Sequence, residues 1–252
     1  MKNQIILWLC SITIAFLIGY INNVTDKVYP VTGTFGIEGR KVSYKLDKET
    51  FDANFYKNIV ISDITGIEGK LIWFMDDEQH ETKFVEAGRG LEAEIPILKP
   101  GKTIKYKLML AYAGDTFEIP ENDFVTLTFW GNIPSPVNIL HFIFLYAGLL
   151  MSIRCLLELF NQSINLKKLS FITCALFIGL VTIISPLKNS YKIGAINNYI
   201  PSMIDLIEPI LVLILSIWIF GTILIFNKKY IHTVTICISF ATIVLFFFLG
   251  QH

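Results

Sequence analysis

Cysteine is scarce in this chain and confined to apolar stretches. The four are Cys10, Cys155, Cys174 and Cys237, and none lies within residues 24–135. With no disulfide to staple it, that interval must be held by an apolar core of its own. There is no CxxC and no Cys/His pair at ligand spacing, which excludes structural zinc and cysteine-held iron–sulfur clusters. Cys10 closes 7-LWLC-10 with no small residue before it, so it is not a lipoprotein attachment site. Charge is scarce too: 17% of the residues are charged against 53% hydrophobic. A mean hydropathy of +0.56 excludes an ordinary soluble globular protein and points to a membrane protein. No basic excess suggests nucleic acid as a partner. GxSxG, HExxH, P-loop and GxGxxG patterns are all missing, and so is any intramembrane protease pattern. The expected protein is therefore non-enzymatic, with no cofactor.

Long apolar runs are what the chain does have. Five stand out, at residues 5–21, 137–160, 169–187, 204–226 and 231–249. Each has the roughly 17–25 residues that a helix needs to cross hydrocarbon. The first carries no A-x-A site, and 17-LIGYINN-23 offers no small-residue cleavage point, so it reads as an uncleaved anchor rather than a signal peptide. The last four lack the paired broken helices of a transporter, although Pro186 and Pro209 interrupt two of them. The zero net charge hides an asymmetry: residues 24–135 hold 18 acidic and 13 basic residues, and the rest hold 3 and 8. With the N-terminus inside, the inner side collects Lys2, Arg154, Lys167, Lys168, Lys228 and Lys229, against Lys188 and Lys192 in the outer short loop. Lys and Arg gather on the cytoplasmic side, so this orientation places residues 24–135 and His252 outside. A bacterial inner membrane is the expected setting.

The region outside reads as β. The stretches 42-VSYKL-46, 59-IVIS-62, 70-KLIWFM-75, 82-TKFVE-86, 90-GLEAEI-95, 103-TIKYKLML-110 and 124-FVTLTFW-130 are short and rich in β-branched and aromatic residues. Turn signals separate them at 76-DDEQ-79, 87-AGRG-90, 99-KPG-101 and 113-AGD-115. Apolar and charged residues alternate in 91-LEAEI-95 and 104-IKYKL-108. About seven strands in about 110 residues predict a sandwich, with Trp73, Phe74, Tyr106 and Trp130 in its core. The segment 90-GLEAEIPILKPGKTIKYKLML-110 resembles fibronectin type III and immunoglobulin-like domains, without their Cys…Trp…Cys framework. A sandwich without catalytic residues suggests a binding or assembly module. The echo of 36-GIEGR-40 in 66-GIEGK-70 reads as two similar turns, each feeding a strand. The expected architecture is α+β: an anchor at 1–23, an immunoglobulin-like sandwich at 24–135 and a four-helix membrane domain at 136–252. Its partners are the lipid bilayer and one or more proteins in the membrane or periplasm, as befits an accessory subunit.

Two polar groups interrupt the apolar runs. Arg154 and Glu158, at i,i+4 near the inner interface, can form an ion pair, and Arg can snorkel there to water. The alternative is a contact to a partner helix or an anionic lipid head group. At about 100° per residue, Arg154 lies about 140° around the helix from His141 and about 20 Å along it, so the two cannot share a site. At the outer membrane interface, 201-PSMIDLIEPI-210 puts Ser202 at an N-cap, Asp205 at N3 and Glu208 one turn deeper, with Pro209 to kink the helix. His141 enters its own helix at a similar depth, so His141 and Glu208 can meet. One reading of His141, Asp205 and Glu208 is plain capping and anchoring. The other is chemistry: a proton relay, a quinone head group or a metal. His232 lies near the inner face, which excludes a bis-His haem with His141. His80, in 76-DDEQHE-81, reads as part of a solvated turn rather than a cation site.

Overall fold

The computed structural model describes residues 2–37, 40–51, 55–62, 67–76, 78–87, 90–121, 123–161, 165–196, 198–228 and 230–249. Positions 77, 88 and 89 of the stretches read from sequence as turns, parts of both GIEG copies and part of 161-NQS-163, which fits the N-glycosylation pattern, lie outside them. The chain forms two compact units. One comprises Met1–Lys27, Ile133–Tyr191 and Ala195–His252; the other comprises Val28–Asn132 and Lys192–Gly194.

The second unit is built of strands: β1 (Val31–Ile37), β2 (Arg40–Leu46), β3 (Glu49–Thr50), β4 (Phe55–Ser62), β5 (Glu68–Met75), β6 (Glu78–Lys83), β7 (Val85–Ala87), β8 (Gly90–Pro96), β9 (Thr103–Tyr112), β10 (Asp115–Ile119) and β11 (Val125–Phe129). One sheet runs β1-β2-β4-β8-β7 and the other β3-β11-β9-β5-β6. β10 and β11 share one edge of the long β9, along 108–112 and 103–106. Eleven strands thus stand among the described residues where the sequence suggested about seven. β1 was missed because Gly33 and Gly36 among threonines blur any apolar alternation. β10 was missed because it follows the 113–115 turn directly and carries two acids.

Alternation explains the core. β8, β9 and β11 bury every second residue: Leu91, Ala93 and Ile95; Ile104, Tyr106, Leu108 and Leu110; Val125, Leu127 and Phe129. These join Val42, Leu46, Leu71 and Trp73 in one cluster drawn from both sheets. Each such buried aliphatic side chain is worth about 1.5–3 kcal/mol. The Tyr106 hydroxyl donates to the Asp47 carbonyl at 2.8 Å. Of the four aromatics expected in the core, Trp73 and Tyr106 are there, while Phe74 and Trp130 are half-buried outside it. The pleat decides this, because a residue next to a core-facing Trp73 or Phe129 must face the other way. Trp130 instead donates from Nε1 to Glu49 at 2.8 Å, under the ammonium of Lys192, which is 4.3 Å from its ring and 3.6 Å from Glu49. The Gly131 N–H donates to the Lys192 carbonyl at 2.7 Å. These contacts bring Lys192–Gly194 into the strand unit.

The first unit is helical: α1 (Lys2–Thr25), α2 (Ser135–Glu158), α3 (Leu166–Gly179), a π turn (Leu180–Ile184), α4 (Ser185–Lys192), α5 (Met203–Leu206), α6 (Pro209–Phe226) and α7 (Ile231–Leu249). Among the described residues, five helices are long and apolar enough to cross a membrane: Gln4–Thr25, Ser135–Glu158, Leu166–Lys192, Pro209–Phe226 and Ile231–Leu249. The third runs 27 residues because the π turn, directly before Pro186, carries the helix past that proline. The fourth is shorter than the apolar run at 204–226. Pro209 opens α6, and the residue before a proline is pushed out of the α region, so Glu208 sits extended at φ −88°, ψ 109° as the N-cap. The expected kink is a full break. Gly148 and Gly221 let neighbouring helices close in: a Cβ at either would lie 2.8 Å from Phe177 or Ile238. The Trp218 indole donates to Thr242 at 2.8 Å in the buried interior. Outward, Phe16, Phe142, Phe220 and Phe240 are exposed.

Candidate functional site

The helix break creates the first polar site. It leaves the Leu206 carbonyl without a helical partner, and Asn189 of α4 donates to it from Nδ2 at 3.0 Å. The same break turns Glu208 toward α2, where its Oε1 lies 3.8 Å from Nε2 of His141. His141 is buried, with its side chain 8% exposed, whereas that of Glu208 is 32% exposed. On the other side of the imidazole, Lys188 Nζ lies 3.3 Å from Nδ1. An ammonium only donates, so Nδ1 accepts and the neutral ring carries its proton on Nε2, facing the carboxylate. At 3.8 Å this is charge proximity and not a hydrogen bond, and Nε2 has no partner among the described residues. The geometry defines a line from ammonium to imidazole to carboxylate, along which a small side-chain shift completes a hydrogen bond.

Of the three residues grouped by sequence, the structure brings two together. Asp205 belongs to a capping box: its carboxylate accepts from the Ser202 hydroxyl at 2.8 Å and the Ser202 N–H at 3.3 Å, and its own N–H donates back to Ser202 Oγ. The N-cap and N3 assignments made from sequence match this box. Glu208, however, does not stack one turn below Asp205 on the same helix, because the helix ends between them. Lys188 was missed as a site residue. Its signal was its position: one turn beyond Ser185, on a helix that continues through Pro186.

The second polar site closes the other end of α2. Arg154 and Glu158 pair at 2.6 Å with side chains only 2% and 1% exposed. Glu158 Oε1 also accepts from Asn161 Nδ2 at 2.9 Å and the Asn165 N–H at 3.1 Å. Arg154 donates from Nη2 to Gln4 Oε1, and its guanidinium lies 5.3 Å from the Trp8 ring centre. The sequence suggested an arginine snorkelling to water. Instead α1 covers it: Gln4 accepts one of its N–H groups and the Trp8 ring lies beside the guanidinium. The missed signal is a shared spacing: Gln4/Trp8 and Arg154/Glu158 both stand at i,i+4, one polar stripe on each helix.

In the strand unit, His80 lies within β6 rather than in a turn. Its ring stacks on its cross-strand partner Trp73, with centroids 4.2 Å apart. Lys70 bridges to Glu81 at 3.0 Å and holds that carboxyl below its usual range. Among the described residues no group of three or more His, Cys, Asp or Glu stands close enough to hold a metal ion.

No family model matches this chain, and no curated protein matches it. Among solved structures, one described as "Crystal structure of Br derivative BhCBM56" is similar at 9% identity over 38% of this chain and 97% of that one. Its TM-score of 0.28 assigns neither fold nor ligand.

Proposed function

We propose that this is a multi-pass membrane protein whose strand unit is an immunoglobulin-like sandwich outside the membrane. That sandwich docks a partner protein, making the chain an accessory subunit of a membrane complex. The exposed apolar faces of five span-length helices support the membrane placement. The six-to-two distribution of Lys and Arg supports an N-terminus inside. The observation that carries the docking role is the β1 edge. Among the described residues β1 pairs with β2 alone, and 31-VTGTFGI-37 has no charge and no proline over seven residues. The other strands with an open edge are blunted. β3 and β7 have two and three residues, β6 carries Glu78, Glu81 and Lys83, and β10 carries Asp115 and Glu118. A long uncharged edge left open among protected ones is a template for an added strand. Exposed Lys41 flanks it on β2, as does Lys45, which pairs with Asp47 at 3.0 Å; Lys41 favours a partner strand with an acidic residue on its solvent side.

The test is purification of the full chain in mild detergent with mass spectrometry of what accompanies it. A stoichiometric partner is expected with the wild type and lost in the doubly substituted T32K/T34K chain, with the strand unit still folded. A chain that purifies alone, or a partner kept by the variant, refutes the edge as the docking site.

A second reading, membrane proton or redox handling, is favoured by the unpartnered Nε2 of His141 facing Glu208. Loss of proton uptake by reconstituted vesicles in both His141→Ala and Glu208→Ala, with normal assembly, would support it.

A further inference from the structure

We infer that residues 199–207 form an apolar wedge seated among lipid chains at the membrane boundary, on the side where α6 begins. This inference rests on the membrane reading above. Ile200 is 96% exposed, Ile204 86% and Met203 72%, with Tyr199 and Ile207 also exposed. Five large apolar side chains projecting within nine residues make a patch that a water-facing loop rarely shows. The one charge among them, Asp205, is turned back onto Ser202 by the capping box.

Depth follows from helix length. α6 has 18 residues, about 27 Å at ~1.5 Å each, slightly less than a hydrocarbon core of ~30 Å. Its N-cap, Glu208, therefore stands at the edge of the hydrocarbon, and the preceding residues leave the helix axis at that depth. Lipid is the occupant the observations favour. The patch continues the exposed apolar surface of the spans through Leu213, and Tyr199 is the residue type enriched at such boundaries. The wedge also explains the helix break. By turning aside at Ile207, the chain keeps the Glu208 carboxylate at the boundary, beside His141, rather than on a helix continuing into water.

Spin labels test this in the full chain reconstituted into phosphatidylcholine/phosphatidylglycerol vesicles, with the exposed Cys10 and Cys237 replaced by Ser. Labels are placed singly through Ile204→Cys, Phe240→Cys on α7 as a mid-span control, and Val85→Cys as a water reference. The ratio of collisions with oxygen to collisions with a water-soluble nickel complex is expected to be severalfold higher at 204 than at 85, and highest at 240. A ratio at 204 equal to that at 85, with 240 still high, overturns the wedge alone. An immobile label at 204 shielded from both reagents also overturns it, because protein then covers the patch. A low ratio at 240 sinks the membrane reading itself.

Discussion

Replacing Glu158 by Gln keeps the shape of the buried cluster and removes one charge. The Gln Oε1 can still accept from Asn161 and the Asn165 N–H, so those two bonds survive. What is lost is the counter-charge of Arg154, 2.6 Å away with both side chains buried. At an effective dielectric of about 20, two unit charges at 2.6 Å attract by roughly 6 kcal/mol, most of it offset by their desolvation. The net worth of the pair is thus small, but breaking it strands a guanidinium whose Nε and Nη1 have no hydrogen-bond partner among the described residues. The expected cost is about 3–5 kcal/mol. Arg154→Met should cost somewhat less, since Glu158 keeps two N–H donors. The doubly substituted R154M/E158Q chain should be far less destabilised than the sum of the two, because no buried charge remains. The assay is reversible unfolding in mixed detergent micelles, run as a double-mutant cycle. If Glu158→Gln costs less than about 1 kcal/mol, or the cycle is additive, the pair is wet and the burial argument is refuted.

Three further outcomes are expected. Tyr106→Phe leaves the Asp47 carbonyl without its hydroxyl donor, costing about 1–2 kcal/mol, and scanning calorimetry should show the strand unit melting roughly 4–8 °C lower per kcal/mol. Lys70 holds the Glu81 carboxyl below its unfolded value of about 4.3, so this pair stabilises the unit above that pH and is lost as pH falls through the depressed folded value. Glu81→Gln should lower the melting temperature slightly at neutral pH, leave it unchanged at the acid end where Glu81 is already protonated, and so flatten the profile between them. A soluble fragment of residues 24–135 should give a β-rich circular dichroism spectrum independent of reductant. A fragment that is unfolded, or that folds only under oxidising conditions, contradicts the cysteine-free core.

Span-length helices were legible because membrane thickness imposes a length on apolar runs, and 231–249 was read to the residue. The capping box at Ser202 and Asp205 was legible because its signature is local. The break at Glu208 was also within reach of the sequence, since Pro209 disfavours helix in the residue before it, but the continuous apolarity of 204–226 masked it. Core membership was only half legible: Trp73 and Phe74 are neighbours, and composition does not tell which of two adjacent aromatics faces inward. The least legible features were contacts distant in sequence. Gln4 meets Arg154 across 150 positions and Trp130 meets Glu49 across 81, and no local periodicity encodes either meeting.

The contact between Gln4 and Arg154 also imposes an order in time. α1 is synthesised before α2, and the residue that satisfies its polar stripe follows Gln4 by 150 positions. At about 5–20 residues per second that is a delay of roughly 8–30 s. During it, Gln4 and Trp8 have no guanidinium to meet, and every strand of the other unit emerges in the interval. The two ends of this latch are thus born on either side of an entire domain. A ribosome stalled before residue 154 would leave α1 made but unclasped, its stripe without the guanidinium that completes it.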